Sequence, residues 1–491
     1  MVKRFRDPLL WFSLAAGSLL LMVCSRNSPL YAMNEWVDVN CFFTVGRGML
    51  DGLMPYRDLY EQKGPILYLI HMLAALISRD SFIGVYLMET LAFSLYLYFC
   101  GKCTQVFRAD FLTGALAALF CGLVAAAGKA FSPGGSAEAY CLWTMVFALY
   151  AAMKALHSGR PMPVWRAMTV GAGAGMTLMV KFTFLGFFIG LCAFAVLWYG
   201  LRREWKTLMK TAGGFLAGFT LVAAAVCVWF YLRGALGDLI RVYFIDNLTV
   251  YPRNTDNRLM LIWKCVRKTV GENRWMWAAI AAAAGAFLLR GRRYFLMMPV
   301  MLAATLTGTY WGGYSWPYYG LIAAPYLAFA GAAAADITGR IPRRRSLSGR
   351  GGKRAWLIAM AALIAAAGCA FHTCESVSRM PAEREELPQY IFAEHIPEDA
   401  TLLNYDFLDA GFYYASGATP SCRFFCTLNL PLEEMKEEMD RQLREGVPDF
   451  VVTRNKTLEE YGVIGTYERV DTASADYGEG MFNYFLYRRI E

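Results

Sequence analysis

Apolar residues in this chain come in long unbroken stretches, with the polar residues gathered between them. A helix needs ~17–25 such residues to cross the ~30 Å hydrocarbon core of a bilayer. Stretches of that character lie near 8–25, 81–101, 110–128, 139–156, 167–180, 183–200, 211–233, 274–289, 294–311, 318–337 and 355–372, those near 167–180 and 274–289 being short or rich in Gly and Ala. A further apolar run, Pro65–Ser78, is only about 14 residues long and is bounded by Lys63 and Arg79, which suits an interfacial or re-entrant helix better than a span. After Phe371 the pattern changes. Short segments at Thr401–Tyr405, Phe450–Thr453, Tyr467–Asp471 and Phe482–Tyr487 predict strands. Leu432, Met435, Met439 and Leu443 form one stripe of a helix that opens at Pro431 and stops at Gly446. Alternating strand and helix signals predict a small α/β domain with an open sheet.

The patterns together predict a mainly α, polytopic membrane protein of about 11 transmembrane helices over residues 1–372, followed by an α/β domain over 373–491. Composition agrees: of 491 residues, 57% are hydrophobic and only 18% charged, which excludes disorder, collagen-like repeats and a small disulfide scaffold. The net charge of +9 first suggests nucleic acid, but its distribution removes that reading. Residues 373–491 carry 23 acidic and 11 basic side chains, and residues 1–372 carry 16 acidic and 37 basic ones.

Short loops rich in Lys and Arg stay in the cytoplasm. If Pro65–Ser78 does not cross, one side receives Met1–Asp7, Lys102–Arg108, Lys154–Arg166, Arg202–Lys210, Arg290–Arg293 and Arg340–Arg354, which together hold 22 Lys and Arg. If it crosses, every later loop inverts and Arg340–Arg354 faces outward. The first arrangement is expected, with eleven spans in the cell membrane, the N-terminus cytoplasmic and residues 373–491 extracytoplasmic. Met1–Asp7 and the apolar stretch behind it resemble a signal peptide, but no small-residue cleavage site follows, so an uncleaved first span is expected. The 13 cysteines are mostly dispersed in the spans; Cys422 and Cys426, outside, would sit about 13 Å apart on a strand, too far to bridge each other.

Candidate chemistry lies in three outer stretches, 26–80, 129–138 and 234–273. In the first, residues 36–52 predict an amphipathic helix with Asn40, Thr44, Arg47 and Asp51 on one face and Phe42, Val45 and Met49 on the other. Asp38 falls on the apolar face. A carboxylate there is either functional, because such a position is expensive, or a cap at the helix N-terminus. Lys63 stands where the loop enters the Pro65–Ser78 run, as a cation for a lipid phosphate or as an interface anchor. Arg57 and Asp58 pair with each other or cap the turn. Glu138 opens the fourth span, where capping is the competing reading. Lys181, in the turn between the fifth and sixth spans, binds phosphate or marks the boundary. Tyr310–Tyr319 is an aromatic belt or a sugar-stacking surface.

Asp38 on a first-loop helix, followed seventeen residues later by Pro55-Tyr56-Arg57-Asp58 and then by Lys63-Gly64-Pro65, resembles the GT-C membrane glycosyltransferases. The branch it resembles is that of the protein O-mannosyltransferases and the aminoarabinose transferase of lipid A. The resemblance gives Asp38 the catalytic-base position, Glu138 the place of a second outer acid, and Lys63 that of the lysine meeting the lipid phosphate. Arg57, Lys181 and Tyr56 join it as expected donor-binding residues. It also implies two interfacial helices in the first outer loop, which the charge bias suggests independently. Val39 replaces the usual second acid, and Tyr318 stands where family members often carry His.

The expected function is transfer of a sugar from a polyprenyl-phosphate donor to a lipid, glycan or protein acceptor, with membrane lipid and no nucleic acid as partner. A phosphate leaves without a protein acid, so one base and a cationic clamp meet the demands of this reaction. The sequence assigns no cofactor and leaves a divalent cation open. The competing readings are a transporter or flippase, against which the lack of an internal repeat and the scarcity of charges such as Glu89 within spans both weigh, and a non-catalytic lipid-binding relative.

Overall fold

The computed structural model of the chain describes residues 7–250, 257–339, 350–378, 384–477 and 480–490. Of the basic N-terminal stretch only Asp7 is among them, and residues 340–349 of the basic Arg340–Arg354 loop lie outside them. Among the described residues, a helix occupies each of the eleven apolar stretches. Six helices among the described residues are long and apolar enough to cross a bilayer: Ile83–Gln105, Ala137–Ser158, Phe182–Leu201, Trp205–Leu232, Pro317–Thr338 and Gly352–Thr373. Pro8–Cys24, Phe111–Ala126 and Arg274–Leu289 are apolar but shorter. Pro65–Ile77 has 13 residues and so extends ~20 Å at 1.5 Å per residue, well short of the hydrocarbon core.

The backbone packs as two compact units. One comprises residues 1–25, 88–226 and 253–379; the other comprises 26–87, 227–252 and 380–491.

In the first unit, helix starts follow from local chemistry. Asp7 accepts from Leu9 N at 3.1 Å with Pro8 at the first helical position, Asp110 accepts from Thr113 N at 2.9 Å, and Ser136 accepts from Ala139 N at 3.3 Å. Small residues then let helices approach closely. A Cβ on Gly186 would come within 2.5 Å of the Ala304 carbonyl oxygen, and one on Gly190 within 2.6 Å of Met301 Cα, so the Leu185–Leu201 helix lies directly on Arg292–Tyr310. Glu89 is fully buried here. It accepts from Ser25 Oγ and from Gly135 N, both at 2.6 Å, so this buried carboxylate pins a glycine-rich loop.

The second unit contains the two first-loop helices, Val37–Leu50 and Pro65–Ile77, and a five-stranded sheet. Gly46 allows the two helices to cross, since a Cβ there would meet the His71 carbonyl carbon at 2.6 Å. The strands are β1 (Thr401–Tyr405), β2 (Thr419–Pro420), β3 (Phe450–Arg454), β4 (Tyr467–Asp476) and β5 (Met481–Arg489), in the order β2-β1-β3-β5-β4. β1 runs parallel to β2 and β3, whereas β5 is antiparallel to β3 and β4. Leu402, Leu403, Val451 and Val452 are fully buried, as expected of central strands covered on both faces. The helix Glu433–Glu445 buries Met435, Met439 and Leu443 and ends at Gly446, whose φ of 64° places it in the left-handed cap. The open α/β sheet expected from the sequence is thus present, with β4 extending five residues beyond its predicted end and a short additional edge strand at Thr419–Pro420.

Candidate active site

The candidate residues form two groups, one in each unit. In the second unit, the first-loop helix begins at Val37 with Trp36 as its cap residue, so Asp38 lies inside the first turn rather than at the cap. Its carboxylate is 3.9 Å from the Lys63 ammonium. The same ammonium is 3.7 Å from Glu61 and sits 5.5 Å from the centre of the Phe42 ring. Lys63 is therefore shared between two carboxylates beside an aromatic face, with the Asp38 and Lys63 side chains retaining 19% and 16% exposure. That access is what a site for a headgroup requires.

The Pro-Tyr-Arg-Asp segment explains how Lys63 is held. Tyr56 has a φ of 70°, unusual for a bulky residue, and its N–H donates to the Leu59 carbonyl at 2.8 Å, closing a tight turn. Asp58 accepts from Met54 N at 2.7 Å and from Arg57 at 2.8–2.9 Å, so it both caps the turn and pairs with Arg57, which holds its carboxyl below the usual range. The turn sends the Tyr56 ring inward, where its hydroxyl donates to the Lys63 carbonyl at 2.6 Å. Burial pushes that phenol well above its ordinary pKa, so it remains a proton-carrying donor. Arg57 is half-exposed and also reaches the Arg233 carbonyl at 3.3 Å.

Further supporting residues were not among those expected. Glu61 is almost fully buried; it accepts from Lys63 N at 2.9 Å and from the Tyr68 hydroxyl. Tyr60 donates to Asp246 at 2.8 Å, and Asn247 Nδ2 donates to the Gln62 carbonyl at 2.8 Å, so the segment 60–63 is fixed from both sides. The Glu-x-Lys spacing of Glu61 and Lys63 was a usable signal. Nothing in the sequence singles out Tyr60, Tyr68, Asp246 or Asn247.

In the first unit, Glu138 and Lys181 meet in a buried ion pair, at 1% and 8% side-chain exposure. Ser136 caps the Ala137–Ser158 helix, and Glu138 lies in its first turn, where a carboxylate is favoured by the helix dipole. The Lys181 ammonium also sits 4.2 Å from the Tyr319 ring centre and 5.2 Å from that of Tyr318. The structure thus joins three features that stand apart in the sequence: the fourth-span acid, the turn lysine and the late aromatic segment. Among the described residues, no group of three or more His, Cys, Asp or Glu side chains converges as a metal site.

No known protein-family model and no curated protein matches the sequence. Solved structures do. ArnT from Cupriavidus metallidurans bound to undecaprenyl phosphate superposes with a TM-score of 0.63 at 15% identity, covering 97% of each chain, and its apo state gives 0.62. The mycobacterial arabinofuranosyltransferase AftD superposes at 0.50, also at 15% identity, over 97% of this chain and 41% of its own. The chain therefore has the fold of ArnT over nearly its whole length.

Proposed function

We propose that this protein is an integral membrane glycosyltransferase that moves a sugar from a polyprenyl-phosphate donor to a cell-envelope acceptor on the extracytoplasmic face. The observation that carries the reading is Asp38 with Lys63 at 3.9 Å, on the first-loop segments of an ArnT-type fold. The ligand in that ArnT structure is undecaprenyl phosphate, the species a polyprenyl-phosphate donor becomes once its sugar has left.

In this mechanism, Asp38 takes the proton from the acceptor hydroxyl as that oxygen attacks the anomeric carbon. The bond from the anomeric carbon to the phosphate oxygen breaks, and its electron pair leaves with the polyprenyl phosphate. Lys63 stabilises the charge growing on that phosphate, with Arg57 as a second cation for the headgroup. Glu61 and the Tyr56 hydroxyl hold the Lys63 backbone, so the ammonium is placed before the donor arrives. Within the first unit, Glu138 holds the Lys181 ammonium beside the Tyr318 and Tyr319 rings.

The test is mass spectrometry of envelope glycans from cells carrying the wild-type gene, Asp38→Asn or no gene. One glycosylated species should depend on the wild-type gene and be missing in the other two at equal protein abundance. Its persistence in Asp38→Asn cells would end the assignment of the base.

A further inference from the structure

The polar face of the first-loop helix suggests a solvated surface by its residue types, yet Asn40 and Thr44 are buried. In the second unit this face lies on the C-terminal domain. Thr44 Oγ1 donates to Asp409 Oδ2 at 2.7 Å, and Arg47 donates to the Tyr413 and Gly417 carbonyls at 2.8 and 3.1 Å. One turn earlier, Cys41 Sγ stands 3.7 Å from Cys426 Sγ. Asp409 is itself organised for this task, since its Oδ1 accepts from Gly411 N at 2.9 Å and Asn404 Nδ2 at 3.3 Å. Gly411 leaves space for the approach, as a Cβ on it would meet Met33 Cε at 2.5 Å and Asn40 Oδ1 at 3.1 Å.

Asp38 lies six residues before Thr44, about 9 Å along the axis and ~240° around it at 3.6 residues per turn. Thr44 and Asp38 therefore lie about 120° apart on different faces of one rigid helix. Fixing the first sets both the rotation and the axial position of the second. Burial raises the Asp409 carboxyl toward protonation, with Thr44, Gly411, Arg47 and Asn404 opposing, so the domain retains a buried acid that is electrostatically unfavourable.

We propose that the C-terminal domain positions the catalytic helix: Asp409 and Arg47 are positioning residues that hold Asp38 in register for proton transfer. This rests on the transferase reading above. A displacement of about 1 Å at a reacting group costs on the order of 100-fold in rate, so partial loosening is expected to cost about 10-fold.

The experiment compares full-length wild type with Asp409→Ala, Asp409→Asn and Thr44→Val, reading turnover of undecaprenyl-phosphate-linked sugars and hydrogen exchange of residues 37–50. Asp409→Ala and Thr44→Val should lower kcat about 10-fold at unchanged donor KM and accelerate exchange in 37–50, while the Glu433–Glu445 helix keeps its protection. Asp409→Asn should restore both, because its amide can donate to Thr44 Oγ1 while its oxygen keeps the other two bonds. Unchanged kcat and exchange in Asp409→Ala and Thr44→Val overturns the proposal, as does a loss confined to KM. Turnover that Asp38→Asn abolishes but Asp409→Ala spares keeps the transferase reading and rejects this one. If the wild type turned over none of these donors, the transferase reading would fall, and exchange in 37–50 would still decide whether Asp409 holds the helix.

Discussion

An Asp38→Asn substitution keeps the shape of the side chain and removes its capacity to take a proton, so transfer should fall by ~10²–10⁴-fold with thermal stability little changed. Lys63→Met should cost ~10²-fold through lost stabilisation of the departing phosphate, as steady-state kinetics would show. The Glu138–Lys181 pair gives a stability test instead. Glu138→Gln removes the carboxylate charge paired with the buried Lys181 ammonium and should destabilise by ~3–5 kcal/mol, whereas adding Lys181→Met should recover most of that loss in thermal unfolding. Asp409 supplies a pH dependence whose sign is fixed by its raised pKa, about 6 against an ordinary 3.8. Its contribution to stability is full below about pH 4 and is lost as pH rises through 6. Asp409→Asn should therefore stabilise the protein at pH 8 by up to about 3 kcal/mol at 1.36 kcal/mol per pKa unit, with little difference near pH 4, as thermal midpoints at the two pH values would reveal. Asp38 stands out in the sequence as a carboxylate on an apolar helix face, and Lys63 by its place in the Lys63-Gly64-Pro65 segment of the family resemblance. Asp409 is not, since its partner Thr44 lies 365 residues away and no local pattern connects them.

At the scale of elements, length is the informative quantity. The eleven apolar stretches each produce a helix because burying or solvating that much apolar surface leaves few alternatives. The Pro65–Ile77 helix is recognisable as short by the same arithmetic. If it lies at the interface, single cysteines introduced at Gln62 and Arg79 in an otherwise cysteine-free protein should both react with a membrane-impermeant thiol reagent applied from one side. Reaction from opposite sides would mean that the helix crosses. The first-loop helix shows what periodicity leaves unread. Its spacing separates the two faces correctly but does not say what each face meets: the apolar face lies against Pro65–Ile77, and the polar face meets the sheet domain through hydrogen bonds to Asp409 and to backbone carbonyls. Polar faces bind water and polar protein equally well, so amphipathicity alone does not choose between them.

For the whole molecule, the charge of +9 resolves into a basic portion before Thr373 and an acidic one after it, and the sign of each follows from counting residues along the chain. The grouping of the second unit does not follow from any such count, because it gathers residues 26–87, 227–252 and 380–491 from three separated parts of the chain. Sequence alone likewise locates Glu138, Lys181 and the Tyr318–Tyr319 segment without showing that they meet. The proposed activity is glycosyl transfer from a polyprenyl phosphate with Asp38 as base. Its most direct test is reconstitution of the purified protein in lipid with undecaprenyl phosphate carrying a series of single sugars, together with envelope lipid and glycan extracts as acceptors, measuring released undecaprenyl phosphate. Release is expected with at least one donor, dependent on acceptor and absent with Asp38→Asn. Equal release from the wild type and Asp38→Asn, or none from any donor in the presence of acceptor, would contradict it.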